Sequence, residues 1–98
     1  MIARIWTGAV RREDADAYAE YMQGTGLAGY RATAGNDGVW MLRRDAGDET
    51  EFVMFTLWES MDAVRAFAGA EPDRAVFYPE DERFLTRRDL VVRHYDVA

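Results

Sequence analysis

The chain reads as an α+β domain with a ferredoxin-like βαββαβ order, a four-stranded antiparallel sheet and a second copy packed against it. Three observations predict this. Segments with strand and helix periods follow one another in that order along residues 1–98. The strand segments carry apolar side chains on both faces, so both faces need cover. Hydrophobic residues make up 49% of the chain, more than two helices on one side of a sheet can hide, and surplus apolar surface on a small domain signals a partner or a ligand.

The first strand runs from Ile2 to Val10, with Ile2, Trp6 and Val10 on one face and Ala3, Ile5 and Ala9 on the other. Arg11 and Arg12 break it. A helix follows from Glu13 to Gln23. Glu13, Asp14 and Asp16 suit the positive end of its dipole, and Ala15, Tyr18 and Met22 form an apolar stripe. Gly24 and Gly26 close it. Leu27–Asn36 is glycine-rich, with room for a short strand around Tyr30–Thr33, and Asn36-Asp37-Gly38 is a turn signal. Val39–Arg44 and Glu51–Glu59 are the arms of a hairpin around a polar loop. In the second arm Phe52, Met54, Thr56 and Trp58 share one face and Val53, Phe55 and Leu57 the other, which places it near the sheet centre. Ser60 caps a second helix whose stripe is Met61, Val64, Phe67 and Ala68, and Gly69 ends it. Between Glu71 and Leu85 the pattern predicts one or two helical turns opened by Pro72, an interruption at Pro79 and a further turn at Glu80–Leu85. Asp89–Val97 is the last strand, with Leu90, Val92 and His94 on one face and Val91, Arg93, Tyr95 and Val97 on the other.

Composition narrows the function. There is no cysteine, which removes disulfides, thiol catalysis and thiolate metal sites. A formal charge of −6 makes nucleic acid and anionic membranes poor partners. No apolar run approaches the roughly 20 residues of a membrane span. MIARIWTGAV reads as a strand, not a signal peptide, so a cytoplasmic location is the default. Ser60 is the only serine and caps a helix, which argues against a nucleophilic hydrolase. No glycine motif follows a strand and opens a helix as a nucleotide loop must, and no loop has metal-ligand spacing.

The opening MIARIW, the run Phe55-Thr56-Leu57-Trp58-Glu59-Ser60 leading into Met61–Phe67, and the closing strand with His94-Tyr95 together resemble the antibiotic biosynthesis monooxygenase family of dimeric α/β barrels. The resemblance covers nearly the whole length. It implies a homodimer forming a barrel, and a small aromatic or apolar ligand. Some members oxidise phenolic polyketides or quinols with molecular oxygen and no bound cofactor, and others degrade haem. Two departures stand out. The polyketide-oxidising members pair their tryptophan with an asparagine earlier on that strand, where this chain has Met54. The haem degraders need an asparagine on the first strand and a histidine in or after the second helix; the first strand here has no asparagine, and no histidine lies between Trp58 and His94.

The resemblance directs attention to a small set of side chains. His94, the only histidine, titrates nearest neutrality and is the candidate base that would ionise a phenol or quinol so that it can give an electron to oxygen. Its ordinary alternative is a hydrogen bond within the sheet or a dimer interface. Trp58 is the candidate that would stack on a flat substrate or hold an oxygen through its N–H, against a core role under the second helix. Trp6, Tyr78, Phe67 and Asp81 are candidates for lining the binding site. Phe67 also fits the core, and Asp81 with Glu82 and Arg83 also fits a solvated loop. The expected function is a cofactor-independent oxidase or monooxygenase of an aromatic or quinol-like molecule. The alternatives are a non-catalytic barrel that binds a small apolar ligand or acts as an accessory protein, and an isomerase or lyase using the same pocket.

Overall fold

The computed structural model describes all 98 residues, Met1–Ala98. In chain order the elements are β1 (Ile2–Arg11), a single 3-10 turn (Arg12–Asp14), α1 (Ala15–Gly24), α2 (Gly26–Ala32), β2 (Asn36–Ala46), β3 (Glu49–Trp58), α3 (Met61–Ala68), α4 (Asp81–Phe84), β4 (Leu85–Arg88) and β5 (Arg93–Asp96). The sheet is antiparallel in the order β2-β3-β1, with β4 and β5 both on the far side of β1. This is the ferredoxin-like arrangement the element order predicts. No helix is long and apolar enough to cross a membrane.

Register separates two faces. Along β3 the residues Thr50, Phe52, Met54, Thr56 and Trp58 are buried beneath the helices, while Val53, Phe55 and Leu57 are half-buried on the other side. The helix side holds two apolar clusters. One is built on Trp6, Val10, Tyr18, Met22, Phe52 and Phe84, and the other on Tyr30, Trp58, Ala63 and Val64. The other face stays open. Ile5 pairs with Phe55, which pairs with Trp40, and Leu42 pairs with Val53. Trp40 and Leu42 are about half exposed, as is Tyr95 at the far edge.

Four sequence expectations need correction. Asn36-Asp37-Gly38 is not a turn but the start of β2, with a register shift at that point. The short strand expected around Tyr30–Thr33 is instead the end of α2 at Ala32, with Thr33 as its C-cap. Its glycines serve close packing: a Cβ on Gly29 would stand 2.8 Å from the Tyr78 hydroxyl. Leu27 and Tyr30, one helical turn apart, are buried, and the Thr33 hydroxyl donates to the Gly29 carbonyl (2.9 Å). Next, Pro72 opens no helix, and only Asp81–Phe84 is helical in that stretch. The backbone there is committed elsewhere. Ala75 N–H donates to Leu90 O (2.9 Å), Val92 N–H donates to Asp73 O (2.7 Å), and Arg74 bridges Val91. Residues between Ala70 and Glu80 therefore form an irregular strap laid over the sheet edge. Finally, the last strand is not continuous. β4 pairs with Gly8–Val10 and β5 with Ile2–Ile5, and Asp89–Val92 loops out between them. At the break the Trp6 indole N–H donates to Asp89 O (2.8 Å).

Ser60 caps α3 as expected, its hydroxyl accepting from Ala63 N–H (3.2 Å). Replacing it with alanine is expected to cost about 1 kcal/mol, read as a lower urea midpoint with an unchanged denaturant slope.

Candidate functional site

The inward face of β1 carries Arg4, Trp6, Gly8 and Val10. Trp6 lies flat across Gly8, where any Cβ would collide with the indole ring. Its edge meets Phe77 of the strap at 6.3 Å. Together with Tyr18 and Met22 of α1, Tyr30 of α2, Met54 of β3, and Val76, Phe77, Tyr78 and Asp81 from the strap and α4, Arg4 and Trp6 enclose a cleft between sheet and helices. At rest it is nearly closed, with about 10 Å³ free, the lower limit for one water molecule.

Two polar groups in this apolar enclosure stand out. Arg4 is 2% exposed. Its guanidinium donates to Arg74 O (3.3 Å) and lies 5.5 Å from the centre of the Phe67 ring. Its Nε has no partner, and it belongs to none of the chain's ion pairs. Burial lowers its pKa, with the Tyr30 hydroxyl opposing that shift, but an arginine in a protein keeps its charge. Asp81 is also buried. Its Oδ2 accepts from Tyr78 N–H (2.6 Å), and its Oδ1 has no partner. Burial raises its pKa; the Tyr78 N–H and the more distant Arg88 pull the other way. The hydroxyls of Tyr18, Tyr30 and Tyr78 are all pushed upward, burial being the first cause in each case, so the tyrosines are neutral hydrogen-bonding groups.

The six side chains singled out in the sequence divide into two sets. Trp6, Tyr78 and Asp81 line the cleft. Trp58, Phe67 and His94 do not. Trp58 is fully buried behind Tyr30, its ring 6.2 Å from that tyrosine and 5.7 Å from Phe67, and its indole N–H donates to the Thr56 hydroxyl (2.9 Å). Phe67 packs on Tyr30 at 4.6 Å and under Arg4, so it supports two cleft residues. His94 pairs across the sheet with Arg4. Its Nδ1 lies 3.0 Å from Asp73 Oδ1, and its Nε2 is buried without a partner. Burial lowers its pKa, Arg4 adds to that, and Asp73 opposes it. The imidazole is therefore neutral at pH 7, with its proton on Nδ1 toward the carboxylate and a bare lone pair on Nε2. Glu82 and Arg83 are solvent-exposed, unlike Asp81.

Sequence reasoning missed Arg4 and Tyr30. The signal for Arg4 was present, since it falls on the same face as Ile2, Trp6 and Val10 and is the one charge in that inward row. Tyr30 was hidden by the misread helix. No group of three or more histidine, aspartate or glutamate side chains is placed to hold a metal ion.

The antibiotic biosynthesis monooxygenase family model matches residues 1–76, and the chain belongs to that family. No curated protein matches. Among solved structures, a Nitrosomonas europaea protein provisionally assigned as an antibiotic biosynthesis monooxygenase is 16% identical, with a TM-score of 0.71 over 99% of this chain and 98% of that one. A point mutant of MhuD, solved with two manganese protoporphyrin IX molecules per active site, is 22% identical, with a TM-score of 0.60 over 99% of this chain and 94% of that one. A monooxygenase from the ActVA-Orf6 gene of Streptomyces coelicolor, in complex with nanaomycin D, is 24% identical, with a TM-score of 0.53 over 72% of this chain and 62% of that one. At these identities the likeness establishes the fold.

The neutral, partly buried His94 gives a pH test. Its pKa in the fold lies below its ordinary 6.5, so between those two values the unfolded chain binds the extra proton. Stability is complete above pH 6.5 and falls as acid is added. His94→Gln is expected to flatten that part of the stability profile, measured by urea unfolding at successive pH values. An unchanged slope would show that His94 is not held neutral by burial.

Proposed function

We propose that this protein is a monooxygenase or oxidase of small aromatic or quinol-like molecules, working without flavin, haem or metal and holding substrate in the cleft beneath Val76–Tyr78. The observation that carries this reading is an enclosed, ring-lined cleft in which two buried polar atoms, Arg4 Nε and Asp81 Oδ1, have no partner. Unsatisfied buried groups are costly in a native fold, and a polar ligand would satisfy them. Membership of the family supports oxygen chemistry. An activated substrate CH2 becomes a carbonyl: one atom of O2 enters the carbon, and the other leaves as water with the two hydrogens. The protein's part is to ionise, orient and shield the ring while it transfers electrons to oxygen. Among the titratable groups, Asp81 lines the cleft and is the nearest candidate to move a proton, while His94 would act from behind Arg4. The porphyrin binding of the MhuD neighbour is not carried over to this chain, whose single imidazole is engaged by Asp73 and has its free nitrogen enclosed.

A second reading rests on one residue. Met54 lines the cleft where the polyketide-oxidising members resemble one another in having asparagine, and a thioether offers a reacting oxygen little. The protein would then bind an aromatic ligand without turning it over. Oxygen-electrode traces with a panel of hydroquinones and anthrones separate the two readings. Oxygen uptake lost in Asp81→Asn and Trp6→Ala supports catalysis in this cleft; ligand binding with no uptake supports the second reading.

We also propose that the protein works as a homodimer, with the open sheet face as the interface. The exposed Trp40, Leu42 and Tyr95 flank the half-buried Ile5, Val53, Phe55 and Leu57, and an apolar surface of that kind is normally covered. The paired substitutions Trp40→Glu and Leu42→Glu are expected to convert a dimer to a folded monomer by sedimentation velocity. A wild-type monomer at micromolar concentration would overturn the proposal.

A further inference from the structure

Arg4 is a buried cation that makes no ion pair, with Asp73 acting on it only from a distance. Its residue is 2% exposed, no carboxylate lies within ion-pair distance of it, the Tyr30 hydroxyl and the more distant Asp73 favour its charge only in part against burial, and its Nε has no acceptor. A charge taken out of water is costly unless paired. Its present acceptor, Arg74 O at 3.3 Å, is neutral. Phe67 beneath the guanidinium fixes its plane but supplies no counter-charge. Arg31 and Arg93 are also outside the ion pairs, and both are exposed to solvent, where an unpaired arginine costs nothing. Arg4 is the exception, and it faces the cleft.

We infer that the cleft selects an aromatic ligand bearing an ionised oxygen, a ring carboxylate or a phenolate, with Arg4 as its counter-ion and Asp81 Oδ1 as a second polar contact for a ring hydroxyl. This rests on the reading above that the cleft holds the substrate. The rings of Trp6, Tyr30 and Phe77 supply flat walls, and Met22 and Met54 supply adaptable ones. An arginine fork matches a carboxylate or a pair of ring oxygens. A neutral ring of the same shape would fill the walls yet leave Arg4 Nε and Asp81 Oδ1 unpaired and out of water, so the site discriminates by what it leaves unsatisfied. With about 10 Å³ free at rest, entry requires Phe77 and Tyr78 to move outward with the strap, which lacks regular secondary structure.

The test is isothermal titration of the full chain with two matched pairs: 2-naphthoate against 2-naphthamide, and 2,4-dinitrophenolate against 2,4-dinitroanisole. At least one anion is expected to bind about tenfold or more tightly than its neutral partner. The arm showing the preference tells a carboxylate ligand from a phenolate one. In Arg4→Gln the preference is expected to vanish while the neutral partner's affinity is kept. Equal affinities within both pairs in the wild type would overturn the inference, as would a preference that survives Arg4→Gln. If that variant fails to fold, the wild-type pairs decide alone. Binding of none of the four would remove the cleft as a ligand site altogether. Anion preference without oxygen uptake would leave this inference standing and remove the oxygenase reading. Uptake with neutral substrates and no anion preference would do the reverse.

Discussion

One hydrogen bond organises the far half of this molecule. The Trp6 indole N–H donates to the Asp89 carbonyl at 2.8 Å, while the Asp89 N–H keeps its bond to Thr7 O of β1 (2.9 Å). The edge strand divides there. β4 and β5 keep their pairing with β1 on either side, and Asp89–Val92 bulges away. The bulge presents Leu90 O and Val92 N–H to Ala75 and Asp73, which ties down the strap. The strap in turn sets Phe77 against Trp6 and Tyr78 against α2. Gly8 makes this possible by leaving the sheet flat where the indole lies across it. A buried tryptophan seeks a hydrogen-bond partner for its N–H, and here that requirement shapes the edge of a sheet and the cover of a cleft.

The elements that depend on periodicity were legible in the sequence. β1, the β2–β3 hairpin and α3 carry period-2 or period-3.6 patterns and local caps, and the two-sided apolar pattern of β3 placed it correctly inside the sheet. The misreadings share a different cause. In α2 the glycines resembled loop residues because their purpose, clearance for Met22 and Tyr78, lies in another part of the chain. Pro72 resembled a helix start because nothing local reveals that Arg74 and Ala75 pair with Val91 and Leu90. The break at Asp89 lies where its carbonyl meets an indole more than eighty positions earlier. Long-range hydrogen bonds do not leave a periodic trace.

The site was legible in part for the same reason. Trp6, Tyr78 and Asp81 stood out as an aromatic, a tyrosine before a proline and an acid in a charge run, and all three reach the cleft. Trp58 stood out more strongly, through the Trp-Glu-Ser step into α3, yet its N–H is satisfied two residues away by Thr56. His94 and Arg4 face each other across two strands, each with a buried nitrogen lacking a partner. Two groups that disfavour each other's charge are thus held side by side, one by its very high proton affinity and the other by losing its proton.

The cleft has a floor and a roof of different construction. Arg4, Trp6 and Met54 stand on strands and Tyr18, Met22 and Tyr30 on helices, whereas Val76, Phe77 and Tyr78 belong to the strap. The family match ends at residue 76, just where the roof begins. Several floor residues, Trp6, Tyr18, Met22 and Met54, are also part of the core. The strap that carries the roof residues is attached at Asp73 and Ala75 through backbone bonds, which any side chain permits. Such a division lets descent with modification keep one scaffold and rewrite its cover, so that ligand preference can drift among relatives whose sheets superimpose.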